Sequence, residues 1–138
     1  MKVLSSAIAL ILVGAATSAG AQEQSRTVER TVKSVPNKDT RIGVYINVQP
    51  DCTSGPLPTI RLISPPASGK VVVKSAKVKA TNYKACLALE VPAYVAFYKS
   101  PADFLGNDAL TIEVKFANGR TEIQKITVNV AGAGGQKI

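Results

Sequence analysis

The sequence predicts an all-β protein: a two-layer sandwich of about seven strands, in one domain, tied by one disulfide. Three observations carry this. Apolar residues recur with period two between clusters of Gly, Pro and Asn. No segment shows the 3.6-residue periodicity of an amphipathic helix. Once the two chain ends are set aside, about 100 residues remain, the size of a single sandwich domain.

The chain has 138 residues, of which 1–21 read as a cleavable export signal. Met1 and Lys2 form a short positive start, Val3–Val13 is apolar apart from Ser5 and Ser6, and Ala19-Gly20-Ala21 places small residues at a cleavage site. Gly14, Thr17 and Ser18 break the apolar run short of the ~20 residues needed to cross a bilayer, so no transmembrane anchor is expected after cleavage. No Cys follows the small residues, which argues against a lipid anchor. A single domain over 22–130 and a flexible Gly-rich tail over 131–138 complete the expected organisation.

Export to an oxidising compartment makes Cys52 and Cys86 a structural disulfide. A metal or redox pair is disfavoured, because the chain has no Cys-x-x-Cys and no His. The 34-residue separation corresponds to about 3 to 4 kcal/mol of loop-closure entropy.

Thr27–Lys33 alternates around Val28 and Val32 as an edge strand, and Pro36-Asn37-Lys38-Asp39 turns the chain. Arg41–Val48 is a half-buried strand with Ile42, Val44, Ile46 and Val48 on its inner face. Gln49–Pro58 is a loop around Cys52. Thr59–Ile63 is a short strand built on Ile60 and Leu62, stopped by Pro65-Pro66-Ala67-Ser68-Gly69. Lys70–Lys74 and Ala76–Thr81 read as a tight hairpin turning at Ser75. Pro92 suits a strand start or a bulge. Ala93–Tyr98 is apolar on both faces, as in a central strand or one covered by a loop.

Leu110, Ile112, Val114 and Phe116 then alternate with Thr111, Glu113 and Lys115 up to Asn118-Gly119, a two-residue hairpin signal. Such a turn pairs Ala117 with Arg120, Lys115 with Glu122 and Val114 with Ile123. Ile126, Val128 and Val130 have the opposite parity to Ile123, which predicts a β-bulge near Gln124-Lys125. The bulge would set Ile126 against Ile112 and Val128 against Leu110.

Tyr98, Phe104, Gly106 and Asp108, followed by the alternating Leu110–Val114 segment and a closing hairpin, resemble the C-terminal half of bacterial cadherin-like and immunoglobulin-like repeats. Pro66, Gly69, Val71 and Val73 resemble the segment that opens the same unit. The resemblance covers Pro65–Val130, best over Tyr98–Val130, and implies an immunoglobulin-like antiparallel sandwich. The chain departs from the repeats in the inserted 82–90 stretch, in aliphatic residues at 110 and 112, and in occurring as a single copy. Calcium sites in such repeats need clustered acids, and Asp103 and Asp108 supply too few oxygens. On physical grounds Gly106 permits a positive-φ loop, Phe104 plugs the sandwich end, Asp108 accepts local backbone N–H groups, and Asn118-Gly119 makes the turn.

Seventeen Lys and Arg against nine Asp and Glu give a net charge of +8, or +7 once Lys2 leaves with the signal. Without His, a Ser-His-Asp triad or a His metal site cannot be built. Ser75 beside Lys74 or Lys77 fails as a catalytic pair because an exposed lysine stays protonated. The expectation is a non-enzyme that needs no cofactor and no metal.

Lys70, Lys74, Lys77 and Lys79, with Lys84 at their end, form a candidate anion-binding face if the chain folds back at Ser75. Lysines on an exposed edge also protect against strand-to-strand aggregation. Nucleic acid is disfavoured by export and by the lack of Arg or aromatic residues within the cluster, whose nearest ring is Tyr83. The leading expectation is therefore a non-catalytic accessory or structural module of the bacterial cell envelope, periplasmic or secreted, that contacts an envelope protein through loops or an edge strand. The alternative is a basic protein binding anionic envelope glycan or lipid through its lysine face. A third reading is a secreted enzyme inhibitor that presents Gln49–Pro58.

Overall fold

Alternation of apolar and polar residues lets each segment bury one face, and the chain satisfies it with seven strands: β1 (Ser25–Ser34), β2 (Thr40–Tyr45), β3 (Thr59–Ser64), β4 (Lys70–Lys79), β5 (Glu90–Lys99), β6 (Gly106–Lys115) and β7 (Thr121–Val130). The computed structural model describes residues 11–14, 25–80 and 84–132, with the backbone alone at Lys84. The strands form two sheets in the orders β1-β7-β6-β3 and β2-β5-β4. This is an immunoglobulin-like sandwich, in which β2, β5 and β4 take the B, E and D positions and β3, β6 and β7 the C, F and G positions. One pair departs from the expected antiparallel order: β1 runs parallel to β7. These two strands come from opposite ends of the domain, so no tight turn constrains their direction.

The main core packs Ile42, Tyr45, Ala96 and Tyr98 of one sheet against Leu110, Ile112, Val114, Ile126, Val128 and Val130 of the other. A second cluster of Val48, Ala80, Cys86 and Val91 lies apart from it, with Ile46, Cys52 and Val78 packed alongside. It sits on the outer face of the β2-β5-β4 sheet, where the Cys52–Cys86 disulfide pins the 46–58 and 84–89 segments. β5 is therefore central and covered on both faces. Tyr94, Ala96 and Tyr98 face the main core while Val91 faces the second cluster. Pro92 is exposed near the start of β5.

Three expectations need correction. In β2 a bulge between Arg41 and Gly43 makes Ile42 and Gly43 both buried and reverses the parity beyond them. Tyr45 thus points inward and Val44 outward, while Ile46 and Val48 serve the second cluster. The ring of Tyr45 stands where a Cβ on Gly43 would be, so only glycine fits there.

β4 has no hairpin at Ser75. It pairs without interruption with β5 from Lys70↔Lys99 to Lys79↔Glu90. The parity change that suggested a turn has another cause: β4 outruns the main core, so its covered face switches from the Val71 side to the Val78 side.

At the β6–β7 hairpin the extra residue lies in the turn rather than in a bulge at Gln124-Lys125. Phe116 N donates to Arg120 O at 2.8 Å, leaving a three-residue loop in which Gly119 alone has positive φ, at 87°. The register is Lys115↔Thr121, Val114↔Glu122, Ile112↔Gln124, Leu110↔Ile126 and Asp108↔Val128. Ile123 lies opposite Glu113 on the outer face, and Glu122 and Gln124 turn toward the core.

Apart from 11–14, the expected signal lies outside the described residues, as do Tyr83 and the tail beyond residue 132. The first residue of the expected flexible tail is still anchored, since Ala131 N donates to Ser34 O at 3.0 Å.

Candidate functional site

Each sheet ends in two edge strands, and the sandwich has two sides where these edges meet. On one side β3 borders the first sheet and β4 the second. Ile60 and Leu62 of β3 lie opposite Val114 and Ile112, facing inward, as do Val71 and Val73 of β4 opposite Tyr98 and Ala96. Yet Leu62 is 40% exposed and Val73 42%. The gap between the sheets stays open here as a cleft of about 330 Å³ lined by Leu57, Pro58, Thr59, Ile60, Val73 and Tyr94.

The lysines lie along β4, the strand that borders this opening. On an uninterrupted strand alternation sends Lys70 and Lys74 to the outer face with Val72, and Lys77 and Lys79 to the inner face with Val71 and Val73. The single shared face expected from a hairpin is therefore absent, and all four lysines meet only along the strand's free edge. Lys74 Nζ lies 5.6 Å from the centre of the Phe97 ring, which confirms the outer assignment of both. The other three have no ion-pair partner among the described residues, where the one salt bridge is Arg61–Glu113 at 3.5 Å. The side chain of Lys84 lies outside the described residues.

Two anchors hold this edge. Asp108, 4% exposed, accepts N–H groups from Ala67 (2.9 Å), Ser68 (3.2 Å) and Gly69 (2.8 Å) in the connection from β3 to β4. It also accepts the Tyr98 hydroxyl at 2.8 Å and its neighbour Ala109 N at 3.1 Å. The expected local bonds thus reduce to Ala109, while the three loop N–H groups lie about 40 residues away and the Tyr98 hydroxyl 10. Burial of Asp108 raises its pKa, but donors at Gly69, Tyr98, Ser68 and Ala67 outweigh this and hold the carboxyl below its ordinary value. Burial together with the bond to Asp108 pushes the Tyr98 hydroxyl far up, so it remains a donor. The Tyr98 ring occupies the space a Cβ on Gly69 would need.

The second anchor is the disulfide, whose Cys52 precedes β3 and whose Cys86 follows β4. Asp51 caps its loop by accepting Thr53 Oγ1 at 2.6 Å and Thr53 N at 3.1 Å, which lowers its pKa. Asn47–Gly55 forms a small closed hairpin, with Gln49 N donating to Thr53 O and Gly55 N to Asn47 O, both at 2.8 Å.

On the opposite side β1 meets β2, and a cleft of about 390 Å³ there, lined by Arg30, Gly43, Tyr45, Phe116, Glu122 and Gln124 among others, carries bonded polar groups. The Tyr45 hydroxyl donates to Gln124 Oε1 at 2.7 Å and Arg30 Nη2 to the same oxygen at 3.2 Å, while Gln124 Nε2 donates to Glu122 Oε1 at 2.9 Å. Burial raises the Tyr45 pKa against the pull of Arg30, so the phenol stays a donor. Sequence reasoning missed this cluster because it placed Tyr45 outside and Gln124 in a bulge. Four polar residues on positions whose neighbours alternate as core are the signal that was available.

Of the motif residues, Phe104 packs against the main core, Gly106 has φ 123°, and Asn118 Oδ1 accepts Arg120 N at 3.0 Å in the turn. Among the described residues no three His, Cys, Asp or Glu side chains gather in metal-binding geometry.

No family model and no curated protein matches the chain. Among solved structures the solution structure of Amebosin is similar at 11% identity and a TM-score of 0.43, over 78% of this chain and 98% of that one.

Proposed function

We propose that this chain is an exported, non-catalytic accessory module of the bacterial cell envelope that binds another protein at its β3/β4 side. The observation that carries the reading is the cleft between the β3 and β4 edges, two strands whose core-facing Leu62 and Val73 are 40% and 42% exposed. A folded domain leaves core-facing apolar side chains uncovered at a cost, and a partner that covers them recovers it. The disulfide and the leader-like first 21 residues support export.

The lysine-face alternative gains less from the geometry. Each face of β4 carries two of the four lysines, so a flat lipid or glycan surface laid on either face meets two, and only an edge-on approach reaches all four. The two readings part under salt. Capture of one envelope protein that persists at high salt, and weakens when Leu62 and Val73 become Ser, supports the module. Association that vanishes with salt and with Lys70, Lys74, Lys77 and Lys79 changed to Gln supports the glycan or lipid reading.

A further inference from the structure

Resting on that protein-binding reading, the geometry points to strand addition: β4 takes up an extended partner segment that carries carboxylates against its lysines and apolar residues against Val71–Val73. Four edge strands are available, and three are protected by backbone means or by mixed charge. β2 and β3 have six residues each and are bulged. β3 is also flanked by Pro58 and Pro65. β1 is long but carries Arg26, Glu29, Arg30 and Lys33, both signs together. β4 is ten residues long, unbulged and free of Pro, with lysine as its sole charge. It spans roughly 30 Å of unpaired backbone, the kind of edge to which a second chain adds a strand.

The side chains specify what such a strand must carry. Residues directly opposite each other on paired strands share a face. A strand added edgewise therefore meets the lysines of both faces at once, as a flat surface laid on either face does not. Run antiparallel, its first, third, sixth and tenth residues lie opposite Lys79, Lys77, Lys74 and Lys70, and its seventh to ninth opposite Val73, Val72 and Val71. The seventh and ninth point toward the cleft beside Val73 and Tyr94, and the eighth covers Val72, which is 51% exposed. A second copy of this chain pairs poorly in the register that matches all ten residues. In the corresponding antiparallel register Lys70 of one copy meets Lys79 of the other, and like charges directly opposite destabilise the pair.

The test uses the full chain with its disulfide oxidised and a labelled ten-residue peptide, blocked at both ends. Glutamate stands at its first, third, sixth and tenth positions, valine at the seventh to ninth and threonine elsewhere. Binding is read by fluorescence anisotropy and by slowed amide exchange in β4. Lys74→Glu with Lys77→Glu should weaken binding about tenfold, and a peptide with lysine at its third and sixth positions should restore it. N-methylating alternate peptide amides on the edge that faces β4 should abolish binding, because it removes the ladder donors.

Equal binding by the N-methylated peptide or by polyglutamate of the same length would overturn strand addition in favour of charge alone, as would no binding by the designed peptide. Those failures leave the module reading standing if a protein partner crosslinks elsewhere on the fold. Lysine-dependent binding of heparin or anionic vesicles, with no peptide binding and no protein partner, removes both.

Discussion

Along the β1/β2 side a cleft of about 390 Å³ is lined by Arg30, Tyr45, Glu122 and Gln124, bonded to one another. Along the β3/β4 side a cleft of about 330 Å³ is lined mostly by apolar side chains, Leu57, Pro58, Ile60 and Val73 with Thr59 and Tyr94. A sandwich can end its core with a polar plug whose donors and acceptors are satisfied, or with apolar groups that await a cover. This chain does one on each side. The β1/β2 side has its polar partners built in, whereas the β3/β4 side is held from its two ends, by the disulfide and by Asp108.

If those anchors hold the β3/β4 side, removing them should loosen it first. Cys52→Ser with Cys86→Ser should cost about 3 to 4 kcal/mol in urea unfolding. Amide exchange should then rise in β4 before it rises in β1. Equal rises in both strands would show that the disulfide stabilises the whole domain without favouring that side.

Asp108→Asn should cost about 3 kcal/mol, because the amide cannot accept from all the donors the carboxylate serves. The same residue predicts an acid limb. A carboxyl held below its unfolded value of about 3.9 contributes stability that is present above that pH and is lost as pH falls through the lower folded value. Stability should therefore decline below about pH 4, less steeply in Asp108→Asn. An unchanged limb in the variant would place the acid sensitivity elsewhere.

On the β1/β2 side, Gln124→Leu should cost about 2 kcal/mol, because it leaves the buried Tyr45 hydroxyl without its acceptor and removes the partner shared with Arg30. On the β3/β4 side, Val73→Thr should change stability by no more than about 0.5 kcal/mol, since the residue is half in water. Comparable costs at the two positions would erase the contrast between the sides.

The sheets and the disulfide were legible in the sequence because alternation and cysteine pairing in an oxidising compartment are local or compositional signals. The site was not, and the reason is parity. One extra residue at Ile42 turned Tyr45 inward, and one extra residue in the turn ending at Gly119 turned Gln124 inward; together they make the plug. Alternation shows that an extra residue exists somewhere, but its place is decided by which neighbours can bond the displaced side chains. At Ser75 the pattern changed with no extra residue at all. The cover moved from one face of β4 to the other, and a change of cover looks like a turn when only one strand is in view.

The contrast between the two sides is tested most directly by photocrosslinking in the cells that make the protein, with a crosslinking residue placed at Val73 of β4 in one chain and at Val28 of β1 in another. The account predicts a discrete protein adduct from position 73, resistant to high salt, and none from position 28. An adduct from position 28 with none from position 73 would contradict it.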